Sequence, residues 1–434
     1  MRRRADHGSV LIVVLWASLG LVSLTLLFGQ SMLMTYRSTD NELAARQADL
    51  AIEGAARYAT YLMGQVEQPG KFPDVTLYRS DAVAVQESMF WFLGRSPEIQ
   101  DGTYRTYSLV DEASKINLNT ANQAMLEALP GMTPDFVAAI IEWRRSPNAE
   151  TEEEDSVSFS STPAKRGPFE SVAELALIDG ADPVVLWGED ANLNGVLDPN
   201  EDDSSKSLPL DNSDGKLDPG LFEYFTVFTR EPNTRSDGSA KINVRSASEE
   251  RTAFFNETFG ETRGAEILAN IGGGQQPRSV LEFLVRTQMT PEEFDRVEAD
   301  LTDASGDFRA GRINVNTASE MVLSCIPGIG VDLASTLVAA RQNRDPNLVG
   351  MGWAAAVLGE EAAVQAGPFL TGRTYQVMAD VAAVGRHGRG YRRSRFVIDS
   401  STQTPRVVYR RDLSSLGWAL GDEIRKDLIS IKNE

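Results

Sequence analysis

The residues best suited to chemistry lie in one run, Asp190-Ala191-Asn192-Leu193-Asn194-Gly195-Val196-Leu197-Asp198-Pro199-Asn200-Glu201. Set against a twelve-residue calcium loop, Asp190, Asn192, Asn194 and Asp198 fall at positions 1, 3, 5 and 9, Gly195 at the sharp turn of position 6, and Glu201 at the bidentate position 12. The carbonyl of Val196 supplies position 7. Calcium is a hard ion that takes six to eight oxygens, and this spacing wraps them around one point. A solvated Asx-rich turn is the competing reading. A weaker loop follows, with Asn212, Asp214, Gly215, Lys216 and Asp218. Aligning Gly215 with position 6 leaves Leu210 and Leu221 where two carboxylates usually stand, so Asp202, Asp203 or Asp211 would have to turn inward. No pair of long helices flanks either loop. The expectation is a structural Ca2+ clasp, with one ion and room for a second, and not an opening sensor.

Other chemistry finds no footing. His7 and His387 are the two histidines, and neither has a second histidine beside it to complete a zinc site. No Gly-x-x-x-x-Gly-Lys-Ser/Thr phosphate loop is present, and no spacing of carboxylates singles out an acid pair. No catalytic residue is assigned, and the chain is not expected to be an enzyme. Cys325 is the only cysteine, so no intrachain disulfide forms. It reads as a small buried apolar residue.

The elements that position the loops are repetitive. Lys115-Ile116-Asn117-Leu118-Asn119-Thr120-Ala121, Lys241-Ile242-Asn243-Val244-Arg245-Ser246-Ala247 and Arg312-Ile313-Asn314-Val315-Asn316-Thr317-Ala318 each open a helical run. In the first and third copies the run reaches a Pro-Gly turn, Pro130-Gly131 and Pro327-Gly328, and a second helix ends near Arg145 and Arg341. Thr133 before Pro134 is an N-cap followed by proline at the first helical position. The middle copy lacks the Pro-Gly pair, with Gly260 or Gly264 as its turn. These units read as helix-hairpin-helix repeats. Strands are expected at Thr103 to Val110, Leu221 to Arg230, Arg373 to Val384, Ser394 to Ser400 and Arg406 to Arg410. Thr151 to Asp155 and Gly272 to Gln276 read as loops.

The chain has 434 residues, with Lys+Arg 42 against Asp+Glu 62 and a formal net charge of -20. Such an acidic chain repels nucleic acid globally and suits an ectodomain that handles cations. Its length predicts two or three domains. The first residues, Met1-Arg2-Arg3-Arg4-Ala5-Asp6-His7-Gly8, are basic, and Ser9 to Thr35 carries no charge. As a helix, Ser9 to Met34 reaches roughly 39 Å, enough for a hydrocarbon core of about 30 Å. The arginine cluster keeps the N-terminus cytoplasmic and sends the rest outward. From Asp40 to Gln65, Leu43, Ala44, Ala48, Leu50, Ala51, Ala55, Ala56, Ala59 and Leu62 extend the anchor as one long helix that packs on a globular body.

Leader, glycine and apolar run together resemble a type IV prepilin signal. That resemblance implies peptidase cleavage between Gly8 and Ser9, with methylation of Ser9. The glutamate usual at the fifth mature position is replaced by Val13. Together with the paired Ile-Asn-hydrophobic-Asn-Thr-Ala openings, the chain resembles the K-type minor pseudopilins of type II secretion systems, the GspK family. The fold this implies is α+β, a pilin-like long helix and antiparallel sheet with an inserted all-α domain of helix-hairpin-helix (SAM-like) repeats. The divisions are a leader at 1–8, a transmembrane helix at 9–34, the long helix and first strands at 35–111, an insertion at 112–370 and C-terminal strands with a tail at 371–434. Within the insertion, repeats stand at about 114–145, 240–300 and 311–342, the calcium loops at 190–218, and a strand interrupts at 221–230. The implied role is to cap the pseudopilus tip and prime its assembly, with I-type and J-type minor pseudopilins, other pseudopilins and the prepilin peptidase as partners. The location implied is the inner membrane, with the C-terminal part in the periplasm.

A competing reading is a DNA-binding minor pilin of a competence or type IV pilus system. Hairpin turns aim backbone N–H groups at phosphate, and Arg386 to Arg411 is the one basic region, with Tyr391 and Tyr409 able to stack on bases. Against it, Glu320, Asp332 and Asp135 flank the turns, and DNA affinity depends on neutralising phosphates. Nucleic acid is therefore not the expected partner. The arginines read first as the solvent face of a hairpin and second as a partner surface.

Overall fold

A computed structural model describes residues 7–95, 102, 104–146, 164–204, 206–271, 276–344, 349–402 and 404–431. The leader residues 1–6, the acidic stretch Thr151 to Asp155 and Gly272 to 275 lie outside them. One helix, His7–Gly64, runs through the apolar segment and into the body. An 18-residue window in it has mean hydropathy 2.6 and none of it is buried, so this helix is long and apolar enough to cross a membrane.

Burial begins at Ala44 and follows a helical stripe through Ala48, Ala51, Ile52, Ala55, Ala59 and Met63. Small residues on that stripe let the helix lie close to the sheet beneath. At the point of closest approach the sheet answers with glycine. A Cβ at Gly385 would overlap the Ala44 carbonyl, and one at Gly390 the backbone of Ala44 and Ala45.

Among the described residues the sheet has six antiparallel strands. Val83–Val85, Ser88–Phe92, Gln376–Val384, Arg392–Asp399 and Arg406–Asp412 lie side by side in that order, and Val110–Asp111 also pairs with Gln376–Val384. The Gln376–Val384 strand is central and buried on both faces. Val377, Ala379, Val381 and Ala383 pack under the long helix with Phe396, Ile398, Phe90 and Phe92. Ala382 and Val384 point to the opposite face, where they meet Trp91, Leu93, Ala419, Leu420 and Leu428. This period of two places Asp380 on the face away from the long helix.

Between Val110–Asp111 and the central strand lies a mostly helical body with its own large core. Its three copies close in the same way. Ile116–Asn117 pairs in parallel with Phe225–Thr226, Ile242–Asn243 with Leu301–Thr302, and Ile313–Asn314 with Leu370–Thr371. In each, the asparagine Oδ1 accepts the N–H two residues on, at 2.9 Å from Asn119, 2.8 Å from Arg245 and 3.0 Å from Asn316. That Asx turn swings the chain out of the bridge and into the first helix. Arginines then tie the helices back: Arg144 donates to the Leu118 and Ala121 carbonyls, Arg251 to Val244, and Arg341 to Ala318. In the middle copy the helices Glu249–Phe259 and Glu261–Ala269 meet at Gly260.

Two strand expectations are corrected. Leu221 to Arg230 is not one strand. It forms the helix Leu221–Tyr224, the bridge Phe225–Thr226 and the start of Arg230–Pro232, because Leu221, Phe222 and Tyr224 all bury into the helical core instead of alternating. Within Thr103 to Val110, Tyr107 makes only an isolated bridge to Leu93 and the strand is confined to Val110–Asp111. Residue 103 lies outside the described residues.

Candidate functional site

The first oxygen-rich loop is folded inward. Asp190, Asn192, Asn194, Asp198 and Glu201 are all buried. Asp190 accepts the N–H groups of Asn194 (2.9 Å) and Gly195 (2.7 Å), which bends the chain back over its own first residue. Asn192 and Asn194 each place an amide nitrogen 2.8 Å from Asp198 Oδ2. Glu201 closes the circle, accepting from Ala191 N (3.0 Å) and Asp198 N (2.9 Å). Gly195 turns at φ +74, and a Cβ there would stand 2.6 Å from the Arg95 side chain.

The electrostatics suit a cation. Burial pushes Glu201 up to about 8, and the charges of Asp190 and Asp198 add to it. Burial also raises Asp190, against the pull of Arg95. Asn192 Oδ1 is buried with no hydrogen-bond partner among the described residues, a costly state for a polar atom. Among the described residues no group of three or more His, Cys, Asp or Glu converges at metal-holding spacing. The set here instead mixes carboxylates with asparagine amides and the Val196 carbonyl, which is the donor chemistry of a hard ion. Each oxygen of Asp190 and of Glu201 accepts one N–H and keeps a lone pair for such an ion, whereas Asp198 is engaged by both asparagine amides at Oδ2 and by Arg105 at Oδ1 (3.2 Å). Asp190, Asn192, Asn194, Asp198 and Glu201, with the Val196 carbonyl, are the residues that would hold a hard ion such as calcium here.

The second loop repeats the pattern at the surface, where Asn212, Asp214, Lys216 and Asp218 are exposed. Asn212 Nδ2 donates to Asp218 Oδ2 (2.8 Å), and Asp214 Oδ1 accepts from Lys216 N (2.8 Å). None of the anticipated substitutes turns in. Asp203 binds Ser207 and Lys206, Asp211 binds Ser213 and Ser204, and Asp202 is exposed. Buried Glu189 does so instead, accepting from Asn212 N (3.0 Å) and Asp218 N (2.9 Å) much as Glu201 does in the first loop. Glu189 precedes the loop by more than twenty residues, so no contiguous pattern reveals it. An acidic residue at the mouth of the first loop is the one signal it leaves.

The first loop docks on the sheet face that carries Asp380. Arg393 donates to both Asp380 oxygens (Nε 2.8 Å, Nη2 2.7 Å), and Arg395 joins at 2.8 Å. Burial alone would raise Asp380, but the guanidiniums of Arg393 and Arg395 hold it well below the usual carboxylate range. The same guanidiniums reach the loop backbone: Arg393 donates to the Asn192 and Leu193 carbonyls, and Arg395 and Arg95 to that of Leu193.

Arg393 and Arg395 are thus not on a solvent face, whereas Arg406 and Arg410 on the last strand are exposed as expected. Arg393 is 0% exposed at its side chain, since the loop carbonyls and Asp380 replace water around it. On the other face Arg386 and Arg389 pair with Asp40, Arg392 with Asp49 and Arg410 with Glu53, all carboxylates of the long helix. The basic region is largely a seam that clamps this helix to the sheet.

Gly8 and Ser9 fall in the first turns of the long helix, and Val13 stands exposed on it. Cys325 is buried in the helical core, which pushes its thiol up to about 11.

No protein-family model matches the chain, and no curated protein matches its sequence. Among solved structures, a chain of the crystal structure of the GspK-GspI-GspJ complex from the enterotoxigenic Escherichia coli type 2 secretion system aligns with a TM-score of 0.40 and 10% identity. The alignment covers 87% of this chain and 99% of that one.

Proposed function

We propose that this chain is a non-catalytic K-type minor pseudopilin, cleaved after Gly8, methylated on Ser9 and held in the inner membrane by residues 9–34, with its body in the periplasm. The observation that carries this reading is the continuous helix His7–Gly64, bare and apolar in its first half and seated on an antiparallel sheet in its second. A membrane run alone would suit any anchor. A run that continues as the core helix of the sheet, behind a basic leader ending in glycine, suits a pilin-like subunit.

On this reading 35–111 and 371–434 form the pseudopilin unit, and 112–370 is an insertion built of helix-hairpin-helix repeats. The insertion is bulky, and Val13 leaves the membrane helix without the carboxylate that would pair with a neighbour above it, since an unpaired carboxylate in lipid is costly. Both features favour the filament tip, in company with I-type and J-type minor pseudopilins. The two oxygen-rich loops act as a structural calcium clasp, with Glu201 completing the first and Glu189 the second.

Native mass spectrometry of the full-length protein in detergent, with calcium and candidate I- and J-type subunits, tests the assembly role. A defined ternary complex is expected, and failure to associate with either subunit refutes it. For the tip position, the Val13→Glu variant should enter pseudopilus shafts more often than the wild type. Equal distribution along the shafts refutes that part.

A further inference from the structure

The first loop contains a backbone conformation that its own sequence does not favour. Leu193 sits at φ +56, a left-handed state that leucine rarely adopts, between the two asparagines at positions 3 and 5. Asn192 and Asn194 face the same point only because the chain reverses at Leu193. Its side chain is buried in the helical core, and its carbonyl is taken by three guanidiniums: Arg393 Nη2 at 2.7 Å, Arg95 Nη2 at 2.8 Å and Arg395 Nη2 at 3.2 Å. Arg393 also holds the Asn192 carbonyl.

These guanidiniums are themselves fixed. Arg393 and Arg395 are locked to Asp380, which is 0% exposed, and Arg95 to Glu223 at 3.0 Å. Arg95 also lies across Gly195, where only glycine leaves it room. The clamp therefore comes from the sheet and its neighbour Glu223, not from the loop.

We infer that Arg95, Arg393 and Arg395 are positioning residues for the cation loop, holding Leu193 in its left-handed state so that the ligand side chains converge before the ion arrives. The inference rests on the reading of this loop as a calcium site. Preorganisation raises affinity because the strained conformation is already in place when the ion binds. By linkage, calcium in turn tightens the docking of the helical body on the sheet.

Simple electrostatics predicts the opposite sign for one substitution, and that separates the two accounts. Removing a positive charge close to a cation site should tighten binding if charge alone mattered. Positioning predicts weaker binding. The experiment is calorimetric titration of calcium into the full-length protein in detergent, after chelator treatment, for the wild type, Arg395→Met, Arg395→Lys and Arg95→Met. Arg395→Met should bind roughly tenfold more weakly, the order of the strain released at a left-handed non-glycine residue. Arg395→Lys should not restore affinity, because one ammonium does not reproduce the planar fork that spans Asp380 and the Leu193 carbonyl. Arg95→Met should weaken binding too, and it keeps the test alive if Arg395→Met fails to fold. Unchanged or tighter binding in the folded variants overturns the positioning role alone. A wild-type protein that binds no calcium overturns the loop reading and this inference with it.

Discussion

Asp111 offers the most direct test of how the helical body is joined to the sheet. It sits on the short strand beside Val377 and Met378, and its buried carboxylate gathers the start of the third copy. Oδ2 accepts from Thr317 Oγ1 (2.5 Å), Thr374 Oγ1 (2.6 Å) and Asn314 Nδ2 (2.9 Å), and Oδ1 from Ala113 N (2.8 Å). Burial outweighs these donors and raises the group from 3.8 to about 6. A carboxyl raised on folding is favoured in its protonated form by the folded state. Its contribution to stability is full below the unfolded value and is lost as pH rises through about 6. Between about pH 4.5 and 7.5 that loss amounts to roughly 2 kcal/mol, at about 1.4 kcal/mol per unit. Asp111→Asn keeps the volume and never ionises. Urea unfolding followed by tryptophan fluorescence, on full-length protein in detergent, should show the wild type losing about 2 kcal/mol more than the variant across this range. Parallel profiles for the two proteins would refute the reasoning, because every other titrating group is shared.

Three further outcomes are expected. Chelation should lower the thermal midpoint, since an ion bound only by the folded state adds about 2.7 kcal/mol at a hundredfold excess over Kd, and coincident midpoints would contradict the clasp. Gly195→Ala forces a side chain to 2.6 Å from Arg95 at φ +74. It should cost about 1–3 kcal/mol and shrink the calcium-dependent part of the midpoint, and an unchanged calcium response would count against the close approach. Gly390→Val pushes against Ala44 and Ala45 of the long helix and should lower the unfolding midpoint by an overpacking cost of about 1–3 kcal/mol. A variant as stable as the wild type would show that the helix does not need this contact.

Much of the local architecture could be read before any coordinates. The alanine stripe from Ala44 to Ala59 is the buried face of the long helix, because helical spacing carries burial directly. Thr133 caps its helix through a bond from Phe136 N at 3.2 Å, as its place before Pro134 requires. Gly260 marks the turn of the middle copy. The stretch from Leu221 to Arg230 misled because aromatic and β-branched residues suit a strand in isolation, whereas here a core on several sides accepts them in a short helix.

The arginines between 386 and 411 show where local pattern gives out. Their alternation with Phe396 and Ile398 correctly separates two sheet faces, but alternation cannot say what covers the second face. A loop from two hundred residues earlier covers it, and Asp380 with the Leu193 carbonyl supplies what water would otherwise provide. Glu189 is similar, since its partners Asn212 and Asp218 are set by the closing of a loop and not by spacing.

Neighbour relations along the chain are enough for the apolar helix, the Asn-turn at the head of each copy and the density of oxygen side chains between Asp190 and Glu201. Which charge meets which follows from the folded arrangement alone. Ion pairs and carbonyl captures join residues far apart in the chain, and a charge becomes a clamp or a solvated surface according to what the fold brings against it.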